Sequence, residues 1–271
     1  MSSTRLLVSD DAVLQVANSL TERDRRILRL LYDHRVFTTE HLTEVPFSNP
    51  TTARHRLTQL YRLRLVDRFR PRRWPSDCAP YHYVIGQIGA MVITAERDQD
   101  PDKHKWKADK ALAIGSSQRL DHLIGVNAFF VELMKHSCQH PDSAELLEWW
   151  SERRCAQAMG RLVHPDAYGV WEENGRVIEF LLEYDRGTES LERVAAKLKG
   201  YKHLEGQTGV RRWVLFSLRT ERREAGVRRA LAGADVPVAT APRTAGGPQD
   251  AVWLVLRPRR SEVRMCLTGL A

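Results

Sequence analysis

The feature that most constrains the fold is the dipeptide Asn174-Gly175, which lies between two extended, apolar-rich runs. Asn-Gly favours a two-residue type I′ turn, because both central residues of that turn need positive φ. Such a turn pairs Glu173 with Arg176, and the pairing continues residue by residue along both strands. It places Asp166 opposite Glu183, on the same face of the hairpin. The sequence therefore predicts a β-hairpin with two acids near its open end.

Two opposed carboxylates repel each other, at a cost of about 0.2–1 kcal/mol, unless a cation lies between them. We therefore predict that a divalent metal ion lies between Asp166 and Glu183. The same register places His164 opposite Asp185, where the two side chains could pair. The alternative is that both acids are solvated edge carboxylates and that Arg186 forms a salt bridge with one of them.

Composition and charge indicate a globular protein with a polyanionic partner. The chain has 271 residues, of which 42% are hydrophobic, and a net charge of +8. Arginine predominates among its basic residues, which suits phosphate binding. Neither a signal-peptide pattern nor a membrane-spanning apolar run is found, so no membrane association is expected. The four cysteines are scattered without a CxxC pair, which favours a reducing cytoplasm.

Residues 1–100 are predicted to form a winged helix-turn-helix domain. Thr21 caps a first helix, a second helix runs from Thr39 to Val45, and a third follows the cap at Asn49-Pro50. Strands at 65–70 and 81–85 complete the pattern of three helices and a β-hairpin. In this arrangement the third helix enters the major groove of double-stranded DNA.

The third helix and the wing carry the predicted DNA contacts. Eight arginines lie between positions 54 and 73, against one acid, Asp67. Such a cluster holds phosphates and makes binding strongly dependent on salt. The alternative is a protein-docking or dimerisation module whose arginines are merely solvated. The candidate DNA-binding residues are Thr51, Thr52, Arg54, His55, Arg56, Gln59, Arg62, Arg68, Arg70, Arg72 and Arg73.

A polar segment separates the two predicted domains. A helix from Gly86 onward closes the wing and is a candidate for a homodimer contact. The stretch that follows, from Arg97 to Lys110, is almost wholly polar, and we predict a linker at residues 101–118.

Residues 119–271 are predicted to form an α/β (α+β) domain with the order α-β-β-β-α-β. Leu120 to Met134 is an amphipathic helix, and residues 145–152 form the first strand. The hairpin supplies the second and third strands. Thr188 is expected to cap the next helix, and the apolar run at 211–217 suits a central strand. With acids on its second and third strands, this order is that of the restriction-endonuclease-like, or PD-(D/E)xK, nucleases.

The chain also resembles the replication-relaxation family of actinobacterial plasmids and integrative elements. Those proteins join a winged helix to a segment that runs PDA, then FLLE-x-DRGTE, then Lys and Tyr. The matching segments lie within residues 20–205, and the DRGTE string is the most specific. They are Pro165-Asp166-Ala167, Phe180 to Glu189, Lys197 and Tyr201, with His122, Asn127 and Trp149 to Glu152 as weaker matches.

This resemblance implies a role in plasmid replication, DNA relaxation or mobilisation. For the nuclease fold it implies metal-assisted attack on a phosphodiester, with Asp166 and Glu183 holding Mg²⁺ or Mn²⁺ through oxygen ligands. One departure is that Asp185 stands where the superfamily has its lysine. Lys197 on the next helix is the candidate substitute, with Lys199 the second choice, and Asp185 is a further ligand or orients water.

The leading hypothesis is a DNA-binding protein of a plasmid or mobile element that nicks or relaxes DNA. A non-enzymatic regulator with a degenerate nuclease fold is the first alternative. The second is an accessory partner of separate replication or transfer proteins. Asp166, Glu183, Asp185 and Lys197 are the predicted catalytic residues. Tyr184 points to the opposite face of the strand and is not expected to act as a nucleophile.

Overall fold

The chain folds as an α+β protein whose strands form two separate sheets. The computed structural model describes residues 10–45, 49–71, 79–100, 106–160, 162–256 and 263–271. Two compact units are present, unit 1 (Met1–Asn127) and unit 2 (Ala128–Ala271). Within the described ranges, no helix is both long and apolar enough to cross a membrane.

Unit 1 has the predicted order of three helices and a hairpin, preceded by one further helix. Its helices are α1 (Asp10–Asn18), α2 (Glu22–His34), α3 (Thr39–Glu44), α4 (Pro50–Arg62), α5 (Gln87–Glu96) and α6 (Ala108–Leu112). Its strands are β1 (Phe37–Thr38), β2 (Val66–Phe69) and β3 (His82–Ile85), in the antiparallel order β1-β3-β2.

The predicted caps of α2 and α4 are confirmed. Thr21 forms a capping box with Asp24, and the Asn49 side chain accepts from the backbone of Thr51 and Thr52, with Pro50 as the first helical residue. Helix α4 then turns its apolar stripe inward. Ala53, Leu57 and Leu60, which recur at helical spacing, are all fully buried.

The described part of the predicted linker is folded. Trp106 donates through Nε1 to the carbonyl of Ile85 at 3.0 Å, and Ile114 is buried in a cluster with Val36 and Val84. The boundary between the units falls inside the long helix α7 (Leu120–Gln139), because apolar side chains at its start complete the core of unit 1. Asn127 serves packing: its Nδ2 donates to two backbone carbonyls, those of His34 and Val36.

Unit 2 is built on a six-stranded sheet in the order β4-β5-β6-β7-β8-β9. Pairing is antiparallel except for β6-β7 and β7-β8, which are parallel. The predicted central position of β7 is confirmed. The elements after α7 are β4 (Ala144–Ser151), α8 (Glu152–Met159), β5 (Ala167–Glu173), β6 (Arg176–Tyr184), α9 (Leu191–Thr208), β7 (Trp213–Leu218), α10 (Glu221–Ala230), β8 (Val238–Pro242) and β9 (Leu254–Val255).

The hairpin register is confirmed from Glu173–Arg176 to Ala167–Leu182, with Asn174 and Gly175 both at positive φ. Two details differ from the sequence prediction. Helix α8 interrupts the predicted order after the first strand. Helix α9 is capped by Ser190, whose Oγ accepts from the backbone of Arg193, and not by Thr188. Both hydroxyl residues suit a cap, and the helix begins at Leu191 with the apolar stripe that packs on the sheet.

Candidate functional site

Helix α4 presents a polar, basic face on the outside of unit 1. Because Ala53, Leu57 and Leu60 point into the core, the opposite side of the helix faces outward. Arg54 and Arg62 lie eight positions apart and therefore share a stripe of the helix. The predicted DNA-binding residues that are exposed on α4 are Thr51, Thr52, Arg54, His55 and Arg62.

A groove of about 580 Å³ lies between α3, the start of α4 and the two longer strands of the sheet. Arg54 lines it from the helix, and Arg68 and Arg70 line it from the strand side. Glu40 and Glu44 on α3 lie along the other wall. The groove therefore has a basic side formed by three predicted DNA-contact residues.

Aromatic stacking holds two of these arginines in place. The guanidinium carbons of Arg68 and Arg70 lie 4.1 Å and 4.2 Å from the ring centroid of Tyr81. Arg68 also lies 4.5 Å from the ring centroid of Tyr61 on α4. These contacts restrict the guanidinium planes and leave Arg70 exposed.

Arg56 is bound inside unit 1. Its Nε and Nη2 lie 2.8 Å and 2.5 Å from the carboxylate oxygens of Asp24, whose side chain is fully buried. Its Nη1 donates to Gln59 at 2.9 Å. Burial raises the pKa of Asp24, but the bonds from Arg56 and Thr21 outweigh it and lower the pKa. Arg56 and Gln59 thus have structural partners, while Arg72 and Arg73 lie outside the described residues.

In unit 2, Glu183 is the centre of a buried polar cluster. It ends the buried run of β6 and is 3% exposed. Lys197 on α9 donates from Nζ to Glu183 Oε2 at 2.8 Å, and the hydroxyl of Tyr201 donates to Oε1. Lys197 also lies 2.8 Å from Glu189. We call Glu183, Glu189, Lys197 and Tyr201 the Glu183 cluster.

Asp166 lies beside this cluster. Its backbone N–H donates to the carbonyl of Leu182, and its carboxylate accepts from the backbone N–H of Tyr184 at 2.7 Å. These bonds come from both neighbours of Glu183 and place Asp166 next to it, as the hairpin register predicts. Two of the predicted catalytic residues, Glu183 and Lys197, are in direct contact, and Asp166 adjoins them.

The protonation of the Glu183 cluster is set by burial. Burial, followed by the charge of Asp166, raises the pKa of Glu183 to about 7, although Lys197 and Tyr201 oppose the shift. Burial alone would lower the pKa of Lys197, but the charges of Glu183 and Glu189 raise it, so the ammonium keeps its proton. Burial also raises the pKa of Tyr201, which therefore stays a neutral donor.

Asp185, the fourth predicted catalytic residue, makes different contacts. It is buried, and its carboxylate is bound by Arg223 of α10, with Nη2 2.7 Å from Oδ2, and by the backbone N–H of Gly187. None of these contacts involves Lys197 or Tyr201. His164 is exposed, and the side-chain bonds of Asp185 within the described residues go to Arg223 and Gly187 instead.

The arrangement does not form a ready-made metal centre. A divalent ion such as Mg²⁺ needs about six oxygen ligands. Both oxygens of Glu183 already accept bonds from Lys197 and Tyr201, and the lysine supplies the positive charge that an ion would supply. In the part of the chain that the structure describes, no three His, Cys, Asp or Glu side chains could hold a metal together. A Mg²⁺ or Mn²⁺ ion at Asp166 and Glu183 would therefore have to displace Lys197 or Tyr201 from the carboxylate of Glu183.

Two contacts in unit 2 were not predicted from the sequence, that of Tyr201 with Glu183 and that of Arg223 with Asp185. Tyr201 matched the family pattern without an assigned role, and in the structure its hydroxyl binds Glu183. It lies four positions after Lys197, and this helical spacing is the signal that could have placed both on one face. Arg223 had no such signal, since it is 38 positions from Asp185.

The described fold is that of an α+β protein with a basic helical unit and a buried acid–lysine cluster in a mixed sheet. The family model described as replication-relaxation matches residues 28–213, more than half of the chain. The protein therefore belongs to the replication-relaxation family. Searches of curated proteins and of solved structures give no match.

Proposed function

We propose that this protein binds double-stranded DNA through unit 1 and acts in the replication, relaxation or mobilisation of a plasmid or mobile element. The observation that carries the proposal is the basic surface formed by α4 and the groove. Arg54 and Arg62 are exposed on the helix, and Arg70 is exposed beside Tyr81. Membership of the replication-relaxation family supports the proposed setting.

The proposed binding mode is that of a winged helix. Helix α4 enters the major groove, where Thr51, Thr52 and His55 can meet base edges. Arg54, Arg62 and Arg70 contact phosphates and displace condensed counterions, which supplies most of the affinity. Arg56 contributes indirectly, by fixing α4 against α2 through Asp24.

The test is the affinity of the full chain for labelled duplex DNA, measured by fluorescence anisotropy at fixed salt. We expect the double variant Arg54→Gln/Arg62→Gln to bind at least about tenfold more weakly than wild type. Arg26→Gln is the matched control, because Arg26 is exposed on α2 and lies outside the proposed surface. Equal losses in both variants, or no loss in the double variant, would contradict the proposal.

A second candidate function is phosphodiester cleavage at the Glu183 cluster. The specific observation in its favour is the contact between Glu183 and Lys197, which brings a lysine to the acid although Asp185 occupies the usual lysine position. Asp166 beside Glu183 supplies the second acid. One observation favours the non-enzymatic alternative. Lys197 and Tyr201 donate to both oxygens of Glu183, so the carboxylate already has its hydrogen-bond partners within the chain.

Nicking of supercoiled plasmid decides between these alternatives. The cleavage hypothesis predicts metal-stimulated nicking by wild type in Mg²⁺ or Mn²⁺ and none by Asp166→Asn or Lys197→Met. The matched control is Lys199→Met, two positions along the same helix. If wild type leaves the plasmid intact, or if the Asp166 and Lys197 variants nick it equally well, the cluster has no catalytic role.

A further inference from the structure

Three adjacent parallel strands of unit 2 end at one edge of the sheet, and an arginine follows each of them. The register places Tyr184 of β6 beside Ser217 of β7, and Leu218 of β7 beside Pro242 of β8. Arg219 comes directly after β7, Arg243 directly after β8, and Arg186 two residues after β6. We call Arg186, Arg219 and Arg243 the strand-end arginines. In open α/β sheets, ligands bind outside this edge.

Arg243 is held rigidly at the edge. Its Nη1 donates to the carbonyl of Ser217 at 2.7 Å, and its Nη2 donates to the carbonyl of Asp185 at 3.0 Å. Its guanidinium carbon lies 4.1 Å from the ring centroid of Tyr184. These are contacts with backbone oxygens and a ring, so they fix the position of the guanidinium without neutralising its charge.

Positive charge exceeds negative charge at this edge. Asp185 is the buried acid there, and Arg223 binds it through both Nε and Nη2. Arg219 is exposed and makes no hydrogen bond or ion pair with the residues that the structure describes. Burial lowers the pKa of Arg243, Tyr184 and Asp185 oppose that shift, and the nearby charge of Arg219 adds to it. Two neighbouring guanidinium groups that repel each other are stabilised when an anion binds between them.

Arg243 and the Glu183 cluster lie on opposite faces of β6. Successive side chains of a strand point to opposite faces, so Tyr184 and Glu183 diverge. Glu183 accepts hydrogen bonds from Lys197 and Tyr201 of α9, whereas the guanidinium group of Arg243 lies over the ring of Tyr184. The strand-end arginines are therefore not part of the acid–lysine cluster.

We propose that the strand-end arginines bind a phosphate group, and that in the DNA complex this group belongs to the DNA backbone. The second half of the proposal rests on the proposed function of DNA binding. Arginine forks match the oxygens of a phosphate, and three of them follow adjacent strand ends here. Unit 2 thus supplies a phosphate contact besides those of unit 1.

The phosphate site can be tested without DNA. Inorganic phosphate is titrated into the full chain, and the Nε–H signals of the arginines are followed by NMR against chloride at equal ionic strength. Signals of Arg219 and Arg243 should shift and saturate with phosphate alone, and the signal of Arg176 should not. Arg176 is a suitable reference because it is exposed at the far end of β6, about 26 Å from Tyr184 along the strand. If the signals of Arg219 and Arg243 shift equally in phosphate and in chloride, the proposal of a phosphate site is wrong.

The DNA contact is tested by the dependence of DNA affinity on salt. Arg219→Gln should reduce the slope of log K against log[salt] by about 1, as expected for one lost phosphate contact, while Arg176→Gln leaves it unchanged. An unchanged slope in Arg219→Gln would overturn the DNA contact. If wild type does not bind DNA at all, the proposed function fails, and a saturable phosphate response would then assign the site to a free phosphate ligand.

Discussion

Replacing Arg56 by glutamine should destabilise unit 1 without removing a DNA contact. The substitution removes both bonds to Asp24 and leaves a fully buried carboxylate with Thr21 as its remaining side-chain partner. Removing one partner of a buried ion pair lowers the free energy of unfolding by about 3–5 kcal/mol. Because the Arg56 side chain is 28% exposed, water can partly replace it, so we expect the lower limit, about 3 kcal/mol. This corresponds to roughly a hundredfold change in the unfolding equilibrium.

Urea unfolding followed by circular dichroism measures this loss. Arg54→Gln is the matched comparison: it removes the same charge from the same helix at an exposed position, and its stability should stay within about 0.5 kcal/mol of wild type. Adding Asp24→Asn to Arg56→Gln should recover part of the loss, since a neutral amide costs less to bury than an unpaired carboxylate. Equal stability of Arg54→Gln and Arg56→Gln would refute the reasoning.

Two other predictions concern Glu183 in unit 2 and Gly89 in the first turn of α5. The raised pKa of Glu183 means that its stabilising contribution is fully present below pH 4.5 and is lost as the pH rises to about 7. In buffer that contains a chelator, the free energy of unfolding of wild type should fall by on the order of 3 kcal/mol between these pH values, and that of Glu183→Gln should not. Urea titrations at several pH values measure this. If both proteins show the same pH dependence, the burial argument is wrong. Gly89→Ala should destabilise unit 1 by about 1–3 kcal/mol, because its Cβ would lie 2.1 Å from the carbonyl oxygen of Leu65. Thermal unfolding checks this, and a stability equal to wild type would show that the backbone can move apart there.

Local signals account for what the sequence predicted correctly. The Asn174-Gly175 turn determines a hairpin register by itself, because its geometry and the two-residue period of the strands leave no freedom. The same holds for the caps at Thr21 and Asn49, where one side chain satisfies the backbone a few residues away. Lys197 could be placed near Glu183 because it lies at the border of the apolar stripe of α9.

Contacts between distant segments could not be predicted. Helix α8 was missed because it is only eight residues long and buries a single side chain, that of Cys155, so it shows no apolar stripe. Asp185 was assigned to a catalytic site because it stands at the lysine position of the PD-(D/E)xK motif. Its partner Arg223 depends on where β7 ends and α10 begins. Asp24 lies in the first turn of α2, where an acid is common, and nothing local reveals that Arg56, 32 positions away, also binds it.

The dependence of DNA affinity on salt tests DNA binding by unit 1 most directly. The measurement is the affinity of the full chain for a duplex over a range of salt concentrations, for wild type, Arg54→Gln/Arg62→Gln and Arg26→Gln. We predict a steep negative slope for wild type and Arg26→Gln, and a slope smaller by about 2 for the double variant. A wild-type affinity that does not change with salt, or an identical slope in the double variant, would contradict the proposal that helix α4 lies against the phosphates.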